Sequence, residues 1–173
     1  MSLLSSLLDW LASFFGEDSF ETPAMRSYTT QYIRNLTYAN PPAQIRPELA
    51  FTLFALEVGI KDFAWIPGET FNKTRSLSNR HVGSGKGFWS GQKITVNGQK
   101  GPETLRIYDS PEQSLQDFDQ LMKDPLYAEA AKRGAKNDRR GFFEGVSNAG
   151  FATTDYHIRL ENRFQSLKQR GII

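Results

Sequence analysis

The chain of 173 residues contains no cysteine. Disulfide bonds and thiolate zinc sites are therefore excluded. Histidine is scarce as well. His81 and His157 are isolated in the sequence and offer little to a metal, so neither a metal nor another cofactor is expected. An excess of one charge is also lacking. Lys and Arg number 21 against 19 Asp and Glu, a net charge of +2, so composition does not call for nucleic acid as a partner. Repeats and low-complexity tracts are missing too. At the N-terminus Leu3, Leu4, Leu7, Leu8, Leu11, Phe14 and Phe15 recur at helical spacing. No basic residue precedes Asp9 and no long unbroken apolar run follows, so this stretch reads neither as a secretory signal nor as a membrane span. Residues 1–20 are expected to form an amphipathic helix, packed on the domain or docked on a partner or membrane surface. Synthesis in the cytoplasm without a signal peptide is the matching expectation.

What is abundant is aromatic: 13 Phe, 6 Tyr and 3 Trp, enough for a dense core and for a groove that stacks on sugar rings. The length suits one domain with a real core, placed at residues 21–173. Thr22-Pro23 reads as an N-cap and first-turn pair opening a helix through Met25, Tyr28, Ile33 and Leu36. Pro41-Pro42 separates it from a second helix over 47–58. A long loop rich in Gly, Ser, Asn and Lys runs from Gly59 to about Gly91, and long irregular loops tend to carry function. Residues 93–96 and 104–108 read as a β-hairpin, with Asn97-Gly98 and Gly101-Pro102 between the strands. Ser110-Pro111-Glu112-Gln113 is a capping box opening a helix, and Asp124-Pro125 opens the next, which Gly134 stops. Two more helices follow, one through Phe142, Phe143 and Val146, the other from near Thr153 or Thr154 to Gly171. The class is α+β, mainly α, with one small β-hairpin lobe.

One residue conflicts with its surroundings. The second helix is apolar nearly all round, the pattern of a buried core helix. Glu57 lies at its C-terminal end among Leu53, Phe54, Leu56 and Val58. Lost hydration there favours the neutral carboxyl and raises its pKa. A carboxylic acid kept protonated near neutral pH can donate a proton to a leaving oxygen. The alternative is a side chain that reaches solvent past Gly59.

Four segments then carry a resemblance. Ala55-Leu56-Glu57-Val58-Gly59 looks like the A-L-E-S-G motif of glycoside hydrolase family 73, the glucosaminidase domain of flagellar rod-assembly hydrolases and autolysins. Asn79-Arg80-His81-Val82-Gly83 is similar to that family's N-N-L-F-G. Leu105-Arg106-Ile107-Tyr108-Asp109-Ser110 is similar to F-R-x-Y-D-S, and the segment 149–156 to A-G-Y-A-T-D-P-x-Y. The resemblance implies a lysozyme-like fold with a cleft between a helical lobe and a β lobe. It implies a peptidoglycan hydrolase that cuts the β-1,4 bond after N-acetylglucosamine, with Glu57 as the catalytic acid.

The departures are specific. Val58 replaces Ser, Phe151 stands where the family has Tyr, and no second acidic residue matches on the first strand. Glu69 and Glu103 are the nearby stand-ins. Three routes for the second role stay open: a carboxylate such as Glu69 activating water, attack by the substrate's 2-acetamido group, or Glu57 acting nearly alone on a distorted sugar. Asn79 is a candidate to hydrogen-bond an N-acetyl group or to cap a turn. Phe151 and Tyr156 are candidates to stack on sugar faces or to pack in the core. The domain also resembles effectors delivered by the type VI secretion system, which act on the periplasm or cell wall of a target cell and are neutralised by an immunity protein. The alternatives are a phage muramidase, and a non-catalytic glycan-binding or assembly module.

Overall fold

A computed structural model gives the structure of residues 28–83, 87–98, 101–153 and 155–173. Helix α1 (Thr30–Ala39) leads through a 3₁₀ turn (Pro42–Gln44) into α2 (Pro47–Val58), and a short α3 (Glu69–Thr74) follows. The hairpin strands β1 (Lys93–Gly98) and β2 (Gly101–Arg106) precede α4 (Pro111–Lys123), α5 (Pro125–Ala135), α6 (Arg139–Asn148) and α7 (Tyr156–Gln169). The expected class, mainly helical α+β with one small hairpin, is what forms. The expected helix at 1–20 and the Thr22-Pro23 cap lie outside the described residues.

Helix α2 is the axis of the core. Pro47 occupies its first turn, where a missing N–H removes no bond, and Gly59 leaves it at φ +83°, which an L side chain rarely adopts. Seven consecutive residues, 49–55, are buried, so the helix is covered on every side. It packs against α1 and α7, while α5, α6 and α7 pack in sequence around the same core. Gly145 permits the close approach of α6 to α5, since a Cβ there would sit 2.7 Å from that of Ala130. No helix among the described residues is long and apolar enough to cross a membrane.

Several boundaries differ from expectation, each for a local reason. Helix α1 begins at Thr30, because the Thr29 side chain accepts a hydrogen bond from the amide of Tyr32 at 3.1 Å and ends the extended chain before it. Residues 101–103 are strand and not turn. Cross-strand pairing runs from Lys93–Arg106 to Gly98–Gly101, and Pro102 is tolerated because a two-stranded sheet has only edges. Gly134 lies inside α5, close against Ile45 and Phe142, and the helix ends one residue later. The last helix starts at Tyr156, and the long loop contains α3, which buries Phe71.

That loop is tied down. Ser76, Leu77, Ser78 and Arg80 are buried, and the amide of Leu77 donates to the Ser114 hydroxyl at 2.9 Å. Residues 80–82 run along β2: the amide of Arg106 donates to Arg80 O at 2.9 Å and that of Val82 to Thr104 O at 3.1 Å. Beneath this crossing lies a buried ionic cluster. Asp117 of α4 meets Arg106 at 3.1 Å and Arg80 at 3.4 Å, and accepts a 2.6 Å hydrogen bond from the Tyr108 hydroxyl. Burial, and then the Asp117 carboxylate, push the Tyr108 phenol well above its ordinary range. Gly87 passes so close over this cluster that a Cβ would fall on the Asp117 carboxylate.

Removing one partner from a buried ion pair leaves the others charged and uncompensated. Asp117→Asn should therefore lower unfolding free energy by about 3–5 kcal/mol, as read in denaturant melts. A loss below about 1 kcal/mol would show that the cluster does not hold the lobe.

Candidate active site

Glu57 occupies the last turn of α2, where the helix comes to the surface. The residues before it are fully covered, while Leu56, Glu57 and Val58 are half-buried. Val58, at the family's Ser position, packs against the hydrophobic core. Glu57 thus has a carboxyl at the edge of an oily interior. Three groups address it. The Tyr156 hydroxyl donates to Oε1 at 2.6 Å. The Asn79 amide donates to the backbone carbonyl of Glu57 at 2.9 Å and reaches Oε2 at 3.5 Å. Arg159, one turn beyond Tyr156 on α7, acts through its charge. Burial raises the Glu57 pKa above the carboxylate value, and it prevails over the opposing pull of Tyr156, Asn79 and Arg159. The side chain is thereby disposed to keep its proton, and it has donors ready for the carboxylate once the proton has left.

Tyr156 is fully buried in the core, so of the two roles considered from the sequence it packs, and its ring has no face for a sugar. Its phenol is raised well above its ordinary range by burial and by Glu57, so it donates and does not ionise. Phe151 stacks on the Tyr156 ring at 5.6 Å and meets Phe118 and Tyr127 edge-on. It is half-buried and braces Tyr156 from the core side. Asn79, at φ +47°, is held in a left-handed conformation with its amide turned to Glu57.

The structure does not bring Glu69 to this group. It opens α3, lies in solvent and pairs with Lys73, which holds its carboxyl below the ordinary range. Glu103 faces Val96 across the hairpin and lies 3.9 Å from His81. His81 follows Asn79 by two residues and bridges to Leu105, so the segment 79–81 spans from Glu57 to the hairpin. Trp89 lies over the Arg106 guanidinium, 5.0 Å from ring centroid to carbon. Among the described residues no group of His, Asp and Glu is placed to hold a metal ion.

Sequence reasoning missed the supporting cluster. Arg80, Arg106 and Tyr108 all lie within the quoted motifs, but no role was attached to them. Asp117 falls on the inner face of α4 between Leu115 and Phe118, and a carboxylate at such a position needs a partner.

No family model matches the chain, and no curated protein matches it. Solved structures do. The peptidoglycan hydrolase from Sphingomonas sp. A1 is 25% identical at a TM-score of 0.60, covering 83% of this chain and 90% of its own. The glycoside hydrolase domain of FlgJ from Salmonella typhimurium is 18% identical at a TM-score of 0.53, with 87% of this chain and 89% of its own covered. The catalytic domain of the autolysin Auto from Listeria monocytogenes is 16% identical at a TM-score of 0.52, with coverage of 100% and 98%. The fold is therefore that of these cell-wall hydrolases, in agreement with the resemblance to glycoside hydrolase family 73.

Because the Tyr156 hydrogen bond lowers the Glu57 pKa, Tyr156→Phe should raise it further. In a glycosidase that uses Glu57 as its acid, the alkaline limb of kcat/KM should then move to higher pH. An unmoved limb in a folded variant would remove Tyr156 from control of the Glu57 carboxyl.

Proposed function

We propose that the protein is a peptidoglycan glycosidase that cleaves the β-1,4 bond after N-acetylglucosamine, with Glu57 as its general acid. The observation that carries this reading is the half-buried Glu57 carboxyl, its pKa raised and its position fixed by Tyr156 and Asn79. It is supported by the likeness to the Sphingomonas peptidoglycan hydrolase. Protonated Glu57 gives its proton to the glycosidic oxygen as the C1–O bond breaks. With Glu69 held by Lys73 in solvent, the substrate's own 2-acetamido oxygen is the favoured nucleophile, closing an oxazolinium ring on C1. Glu57, now a carboxylate bonded by Tyr156, takes a proton from the water that opens the ring. That step returns the acid to its starting state.

The test is digestion of purified sacculi with mass analysis of the new ends. N-acetylglucosamine is expected at the reducing end, whereas N-acetylmuramic acid there would make the enzyme a muramidase. Glu57→Gln should lower turnover by about 10²–10⁴-fold. The variant should also be more stable than the parent at high pH. A folded-state pKa raised above the unfolded one gives stability that is fully present below the unfolded value and lost as pH rises through the folded value. Gln has no such loss, so its melting temperature should exceed the parent's at pH 8. The gap should close as pH falls below the ordinary value of 4.5. Parental turnover in the variant would remove Glu57 from the mechanism.

The wider proposal is an antibacterial effector checked by an immunity protein. It is supported by the diverged motif, with Val58 and Phe151 at positions where the family has Ser and Tyr. Directed to the periplasm, the protein should lyse cells, and co-expression of the neighbouring gene product should rescue them. Undisturbed growth without that product would overturn it.

A further inference from the structure

The stripe of α7 that begins at Tyr156 does not end at the acid. Tyr156, Arg159, Arg163, Ser166 and Arg170 succeed one another at helical spacing, so they face one way along α7 and its C-terminal cap. Leu56, from the turn that carries Glu57, and Lys61, just past the Gly59 exit, form the opposite wall. Between them lies an open groove of about 440 Å³. Four of its lining side chains are cations: Lys61, Arg159, Arg163 and Arg170. Two carboxylates oppose these cations: Asp62, 3.9 Å from Arg170, and Glu57, which acts on Arg159 through its charge. Arg163 is fixed by donating to the carbonyl of Ile60 at 2.7 Å. Its guanidinium pKa is lowered by burial and by repulsion from Arg159 and Arg170. Like charges one turn apart on a helix destabilise it, and a bound anion relieves the repulsion.

We propose that this groove is a binding site for the carboxylates of the stem peptide carried by peptidoglycan. The inference rests on the glycosidase reading and extends it to substrate recognition. N-acetylglucosamine is neutral, and the lactyl carboxyl of N-acetylmuramic acid is neutral while it is amide-linked to the peptide, so a cationic groove gains little from the peptide-bearing glycan itself. The peptide on alternate sugars carries free carboxylates, and guanidinium forks match them in shape and charge. Arg159 joins the two sites: it is close enough to act on Glu57, and it opens the row of cations. A glycan seated over Glu57 can therefore lay its peptide along α7.

The experiment uses the full chain carrying Glu57→Gln, which allows binding to be read without cleavage. It is titrated with a soluble stem tetrapeptide, with a peptide-free chitooligosaccharide and with inorganic phosphate. The tetrapeptide should bind, and the added pair Lys61→Gln with Arg170→Gln, both exposed residues, should weaken it by about tenfold or more. Arg159→Gln, also exposed, gives an independent measure on the same stripe. In the active protein, the ratio of kcat/KM on peptide-bearing strands to that on amidase-stripped strands, which keep only the lactyl carboxylate, should fall in the double variant. Absence of tetrapeptide binding, binding unchanged in the variants, or an unchanged ratio would overturn the inference. Phosphate binding as tightly as the tetrapeptide would overturn it in favour of a phosphate-bearing polymer. If no strand is cleaved but the tetrapeptide binds through Lys61 and Arg170, the glycosidase reading fails and the groove assignment stands.

Discussion

One buried carboxylate holds the hairpin side of the molecule together. Asp117 lies on α4, yet its partners come from the loop at Arg80 and from the end of the hairpin at Arg106 and Tyr108. Two guanidiniums in the interior repel each other, and desolvation makes each more unfavourable. A single carboxylate between them turns that repulsion into a junction of three chain segments. The backbone records the same junction, since Arg80 and Arg106 also share a hydrogen bond. The position of Asn79, one residue before Arg80, follows from it.

The site is thus assembled from two rigid pieces. The helix α2 brings Glu57 out of the core at a fixed height, and α7 meets it with Tyr156. The loop anchored by Asp117 brings the Asn79 amide from the other side. None of these groups depends on a flexible tether, and Tyr156 is held in turn by the stacked ring of Phe151. Phe151, at the position where the resemblance has Tyr, is a packing element here. The hydroxyl that reaches Glu57 belongs to Tyr156.

Glu57 was legible in the sequence because an ionisable residue in an all-round apolar helix is rare, and Pro47 and Gly59 marked the ends of that helix. The helical lobe was legible through periodicity and caps, with Ser110 and Asp124 bonding as their spacing implied. The Ser110 box differs in one detail: Gln113 reaches back to the amide of Asp109, one residue before the cap. Helix α3 was not legible, because six residues show too little periodicity and only Phe71 and Thr74 are buried. The second strand was misplaced because Gly101 and Pro102 read as turn residues, although an unpaired sheet edge accepts both. Asp117 escaped because its partners are distant in sequence and no local pattern names them.

Asn79 serves two clients at once. The carbonyl of Glu57 is among the last of α2 and has no partner within the helix, and the Asn79 amide satisfies it while touching the carboxyl. Closure of the helix end and the acidity of the Glu57 carboxyl therefore depend on one side chain. A substitution at residue 79 that shifts the acidity of Glu57 also frays the helix end that presents it. The two properties cannot be selected separately at this position. Independent adjustment of that acidity falls to Tyr156, through its hydrogen bond, or to Arg159, through its charge, neither of which closes the helix.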